Sequence, residues 1–221
     1  MEPVKIGVVG AGFIAQTAHL PCLQAVPSVD LYAIASSRPR LREAVARRFD
    51  IPVQYDSWTQ LADDDQVEAC VVLLPPEFNP DIVCSLLESG KHVMAEKPMA
   101  LSYAQARRMA DAAERAGKVL MIAYMKRYDP GVERAKNFWD EKVATGQLGK
   151  LLSVRAWSTR GGNWTANIER MFTVVKTDEQ SVPKPSADLG PDWLPDGLRQ
   201  GMPGFASPAC LGEGHLAASR A

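Results

Sequence analysis

The sequence predicts an α/β protein built on a doubly wound parallel sheet. Three observations carry that reading. The chain opens on an apolar run, Val4–Val9, that leads directly into Gly10-Ala11-Gly12-Phe13-Ile14-Ala15, a G-x-G-x-x-A turn followed by a helical pattern. Apolar runs and helical periods then alternate to about residue 125. Several of the runs are apolar throughout rather than at every second position, as strands covered on both faces require.

Each element follows from local chemistry. The first helix is expected over residues 14–25, closed by Pro27. A second strand is expected at 31–35 and a helix at 39–49, with Pro39 in its first turn. A short strand at 53–55 precedes Ser57, a candidate cap for a small helix carrying Trp58 and Leu61. The apolar run at 69–74 is stopped by Pro75-Pro76. A helix at 80–88 ends at Gly90, and a strand follows at 92–95. Ser102 caps a helix ending at Ala116-Gly117, and a strand is expected at 119–123. Asp129-Pro130 then reads as N-cap and first helical residue of a helix running to about 144, with turns at Gly146 and Gly149. Residues 151–157 alternate like a strand of a half-exposed sheet. From about 181 prolines and glycines interrupt every period, so that stretch reads as irregular. The expected domains are 1–125 and 126–221.

Composition narrows the function. The 221 residues are 46% hydrophobic and 23% charged with a net charge of -1, which offers no field for a polyanion and argues against nucleic-acid binding. Cys22, Cys70, Cys84 and Cys210 show no C-x-x-C spacing, and the three histidines do not cluster with them. No metal site is expected, and a reducing cytoplasm fits. Cys70 and Cys84 read as small buried apolar residues. No signal peptide or membrane span is expected.

The glycine turn carries the first chemistry. Gly10 allows a tight exit from the strand, Gly12 lets a pyrophosphate approach the backbone, and Ala15 is small enough for helix and strand to pack. Where an NAD-preferring site usually carries a carboxylate after the second strand, this chain has Ser36-Ser37-Arg38. Hydroxyls and a guanidinium suit a 2′-phosphate, so NADP(H) is favoured over NAD(H). The alternative is that Arg38 is a solvated residue opening the next helix.

A second constellation, Ala95-Glu96-Lys97-Pro98, lies where a strand should end, and ligands of open α/β sheets bind at carboxyl ends of strands. A lysine there can exchange a proton with a substrate hydroxyl. Pro98 fixes the turn that follows and is a candidate cis proline. On spacing alone a surface Glu–Lys pair is the competing reading.

The G-A-G-F-I-A opening, Leu74-Pro75-Pro76, the K-H-V-M-A-E-K-P segment at 91–98 and Arg127-Tyr128-Asp129-Pro130 occur in fixed order. Together they resemble the glucose–fructose oxidoreductase / inositol dehydrogenase / rhizopine-catabolism (Gfo/Idh/MocA) family over residues 4–157. That resemblance implies a Rossmann domain and then an α/β domain with a mostly antiparallel sheet. It implies NAD(P)-dependent hydride transfer to or from a sugar, polyol or related carbonyl compound. Lys97 matches the family's catalytic lysine, with Glu96 and Pro98 beside it. Gly10, Gly12, Phe13 and Ile14 would follow the cofactor phosphates, and Leu74, Pro75, Pro76 and Asn79 would line the cofactor. Tyr124 and Arg127 would face the substrate, or Arg127 would form a structural salt bridge at the domain junction.

Three departures qualify the resemblance. Asn79 stands where the family often has histidine. The D-x-G-x-H stretch of the second domain is matched only by Gly212-Glu213-Gly214-His215, with His215 read as a tail residue. The second domain is short, which points to a truncated or reduced member whose homo-oligomerisation depends on the sheet that remains. A non-catalytic NADP(H)-binding regulator or inactive paralogue is therefore the alternative function. A further reading is a chain whose Trp139, Trp157 and Trp164 lack a covering sheet and drive self-association.

Overall fold

A computed structural model describes residues 2–153, 155 and 164–183. Six parallel strands form one sheet in the order β3-β2-β1-β4-β5-β6. They are β1 (Val4–Val9), β2 (Val29–Ala35), β3 (Val53–Tyr55), β4 (Ala69–Val72), β5 (His92–Ala95) and β6 (Leu120–Ile122). Consecutive strands run outward from β1 on one side and from β4 on the other. The strand order therefore reverses between β1 and β4, and that switch point is the crevice where α/β sheets bind ligands.

Successive residues of the central strands point to opposite faces, so each strand feeds two cores. Val8, Ile34 and Val71 pack on one face with Leu41, Val45 and Leu20 from helices α1 (Leu20–Gln24) and α2 (Pro39–Arg48). Val9, Ala35 and Val72 pack on the other with Leu61, Leu86 and Met109. Those three come from α3 (Trp58–Ala62), α4 (Asn79–Glu88) and α5 (Tyr103–Ala116). Cys70 and Cys84 are buried in this second core. Burial pushes the Cys70 thiol up to about 12, against a smaller opposing pull from Lys91. It is a packing residue rather than a nucleophile.

The caps act as the sequence indicated. Ser57 accepts from the Thr59 N–H, and Gln60 Oε1 accepts from the Ser57 N–H to close a capping box. Ser102 Oγ accepts from the Gln105 N–H, and Gly117 ends α5 in the left-handed conformation. Several strands differ at their ends from the sequence expectation. β2 starts two residues earlier, at Val29, while β4 ends at Val72 and β6 spans Leu120–Ile122. Apolar character outruns ladder pairing at those ends. The first helix also departs: it opens with a π turn, Ala15–His19, before α1. Widened turns of this kind are frequent at functional sites.

The described residues divide into two compact units. The first holds the sheet together with residues 174–183, which follow the second unit in the chain. The second, residues 124–173, contains a 3-10 turn (Met125–Tyr128), α6 (Pro130–Phe138), a π turn (Trp139–Val143) and α7 (Trp164–Met171). Asp129 Oδ1 caps α6 by accepting from the Gly131 N–H at 3.0 Å. Among the described residues of this unit there is no strand: 151–153 are irregular, and the rest of the strand expected at 151–157, apart from Arg155, lies outside them. Trp157, Cys210, Gly212-Glu213-Gly214-His215 and the proline/glycine-rich stretch from 184 also lie outside the described residues.

Candidate functional site

The register of the sheet assembles the site. Val9 pairs with Ala35 on one side and Val72 on the other, and Val72 pairs with Ala95. The carboxyl ends of β1, β2, β4 and β5 are therefore level. The ladder runs one step further: Gly10 N–H donates to Ala35 O, Leu73 N–H to Val9 O and Glu96 N–H to Val72 O, at 2.8–3.0 Å. The glycine turn, the Ser36-Ser37-Arg38 loop, the Leu74-Pro75-Pro76 loop and the Glu96-Lys97-Pro98 loop thus emerge side by side along one edge of the sheet.

Two glycines do different work in the turn. Gly10 has φ +106°, and a Cβ there would sit 2.7 Å from the Leu73 carbonyl oxygen. Its lack of a side chain is a condition of the fold. Gly12 has no such need: a Cβ would meet only the Arg38 guanidinium, at 4.0 Å. The open space over Gly12, at the start of a helix, is a cradle that fits a dinucleotide's pyrophosphate. Phe13 and Ile14 are half-buried behind it.

In the next loop Arg38 N–H donates to Ser36 Oγ at 3.4 Å, Ser37 is exposed and Arg38 is half-buried. Arg42 Nη1 reaches back from α2 to the Ser36 carbonyl at 2.9 Å and also pairs with Asp56. Leu74, Pro75 and Pro76 are half-buried at the mouth of the switch point.

The Lys97 loop is held from three sides. The Lys97–Pro98 peptide is cis. Glu96 Oε2 accepts from the Lys97 N–H at 2.8 Å, while Glu96 Oε1 accepts from His19 Nε2–H at 2.8 Å. Burial alone pushes the Glu96 carboxyl up; the His19 hydrogen bond and the Lys97 N–H outweigh it and hold the group below its ordinary 4.5. From behind, the fully buried Asn79 turns its Nδ2 toward the carbonyls of Glu96, Pro98 and Met99 at 3.3–3.4 Å. Its Oδ1 has no hydrogen-bond partner. The Lys97 side chain itself is exposed. The arrangement fixes a backbone and leaves the lysine side chain accessible just beyond the carboxyl end of β5.

Tyr124 and Arg127 belong to the second unit, where both are exposed. The ion pair to Asp129 comes from Lys126. Sequence reasoning did not single out His19 or Gln16. Gln16, buried in the π turn, donates to Ala11 O at 3.0 Å and exchanges hydrogen bonds with the Val175 backbone. The His19–Glu96 and Gln16–Val175 contacts join residues far apart in the chain, and no local pattern announces them. Among the described residues no group of histidine, cysteine, aspartate and glutamate could hold a metal ion, and no helix is long and apolar enough to cross a membrane.

Comparison with known proteins bears on the family and the fold. Residues 4–124 match the Gfo/Idh/MocA oxidoreductase family, described as an NAD-binding Rossmann fold. D-xylose 1-dehydrogenase (NADP(+)) 2 of Haloferax volcanii is 34% identical over 68% of this chain and 45% of its own length. Levoglucosan dehydrogenase of Pseudarthrobacter phenanthrenivorans is 29% identical over 76% of this chain and 43% of its own. A crystal structure of KijD10, a 3-ketoreductase from Actinomadura kijaniata in complex with NADP and TDP-benzene, superimposes with a TM-score of 0.60 at 32% identity. That match covers 64% of this chain and 43% of the other. The chain spans about half the length of the curated relatives it matches. With the family matched over more than half of its length, this chain belongs to the Gfo/Idh/MocA oxidoreductase family.

Proposed function

We propose that the protein is an NAD(P)-dependent oxidoreductase that transfers a hydride to or from a sugar, polyol or related carbonyl compound, with Lys97 as proton donor and acceptor. The observation that supports it most is the level row of loops at the β1/β4 switch point, with the Lys97 loop braced by Glu96, His19 and Asn79. When bound, the nicotinamide supplies or takes up the hydride. Gly10, Gly12, Phe13 and Ile14 hold the pyrophosphate side of the cofactor. Leu74, Pro75, Pro76, Glu96 and Pro98 line it, and Asn79 acts by fixing the Glu96–Met99 backbone. Ser36, Ser37 and Arg38 read the adenosine ribose and favour NADP(H) over NAD(H). In reduction the Lys97 ammonium gives a proton to the carbonyl oxygen as carbon accepts the hydride. In oxidation the Lys97 amine takes the hydroxyl proton. Tyr124 and Arg127, which lie in the second unit, are assigned to the substrate.

The test is NADPH and NADH oxidation against a panel of ketoses, aldoses and keto-sugars, with NADP+ and NAD+ reduction for the reverse. Turnover that disappears in Lys97→Ala, while nucleotide binding persists, supports the assignment. Tight nucleotide binding without Lys97-dependent turnover on any substrate favours a non-catalytic NADP(H)-binding regulator.

A further inference from the structure

The first turn of α2 already holds an anion, and it comes from the other end of the described chain. Glu179 Oε1 accepts from the Arg40 N–H at 3.1 Å, and Glu179 Oε2 accepts from the Leu41 N–H at 3.0 Å. These are two N–H groups of that turn that have no partner within the helix. Thr177 Oγ1 donates to Glu179 Oε2 at 3.2 Å, and Asp178 pairs with Arg40 Nη1 at 3.0 Å. The segment is anchored upstream by the two Gln16–Val175 hydrogen bonds, beside the glycine turn. It therefore straps across the helices that follow β1 and β2, and delivers a carboxylate to the end of the Ser36-Ser37-Arg38 loop.

We propose that Glu179 limits the preference for NADP(H) over NAD(H), by competing with a 2′-phosphate for the N-terminus of α2. The inference rests on the cofactor reading above and deepens it. Ser36, Ser37 and Arg38 lack the acidic residue that usually follows the second strand and rejects a 2′-phosphate. Glu179 supplies that charge from 139 residues away. A 2′-phosphate drawn in by Arg38 meets the Glu179 carboxylate and must displace it from Arg40 and Leu41, or bind against its charge. NAD(H), with neutral ribose hydroxyls, meets no such opposition. The cationic loop and the strap thus act in opposite directions on one subsite.

The experiment is a fluorescence titration of the full chain with NADPH and NADH, in wild type, Glu179→Gln and Arg38→Ala. Glu179→Gln should tighten NADPH about tenfold and change NADH less than about twofold, as expected for removing one like charge near a dianion. Arg38→Ala should weaken NADPH selectively. An equal change for both nucleotides in Glu179→Gln, or none, overturns the proposal while leaving the cofactor reading intact. Failure of wild type to bind either nucleotide overturns both. Amide NMR of the wild type gives a second readout that needs no variant: NADPH, but not NADH, should shift the Arg40 and Leu41 resonances. Identical shifts with the two nucleotides would contradict the competition.

Discussion

At the scale of the residue, the site separates groups that hold from a group that acts. Glu96 and Asn79 spend their hydrogen bonds on backbone and on His19, whereas the Lys97 side chain is exposed. Lys97→Ala should therefore lower kcat by roughly 100-fold or more, the usual range for a general acid–base group, with nucleotide Kd within about twofold. Steady-state kinetics on any substrate found in the panel checks this. Glu96 carries a pH signature. Its folded value lies below the ordinary 4.5, so its contribution to stability is present above that value and is lost as pH falls through the lower folded value. Melting curves from pH 7 to pH 3 should show wild type losing its advantage over Glu96→Gln only in that acidic window. A constant difference across the range would assign the effect to packing.

At the scale of the element, most boundaries were legible because the signals that set them are local. Ser57, Ser102 and Asp129 each cap the helix that follows, and Gly90 and Gly117 take the positive φ that ends one. Ser102→Ala should cost about 1 kcal/mol in urea unfolding, the usual cost of losing an N-cap. The E-K-P of the Lys97 loop is contiguous and follows an apolar strand, but on spacing alone a surface Glu–Lys pair competes with it, and it is the family resemblance that singles it out. What was not legible depends on contacts across the chain. His19 meets Glu96 77 residues away, and Gln16 meets Val175 159 residues away. Neither leaves a period or a spacing to read. The π turn at Ala15–His19 is of the same kind: Ala-Gln-Thr-Ala-His carries no proline or glycine to distinguish a widened turn from an ordinary one.

At the scale of the whole molecule, the first unit contains the sheet, both cores and the glycine turn. The second unit leaves Val132, Phe138, Leu152 and Met171 exposed by 45–94%. An apolar surface of that kind should bind a reporter dye and promote self-association, which light scattering over a concentration series would detect. The central claim is that the β1/β4 crevice of the first unit is a dinucleotide site, and Gly12 tests it most directly. An added Cβ at Gly12 meets nothing closer than 4.0 Å, so the fold should tolerate Gly12→Val, whose side chain grows into the cradle. The decisive measurement is the melting temperature of wild type and Gly12→Val with increasing NADPH and NADH. The account expects equal melting points without nucleotide. It expects a saturable rise in wild type only, corresponding to about 2.7 kcal/mol at a hundredfold excess over Kd. A rise of the same size in both proteins, or none in wild type, would contradict it.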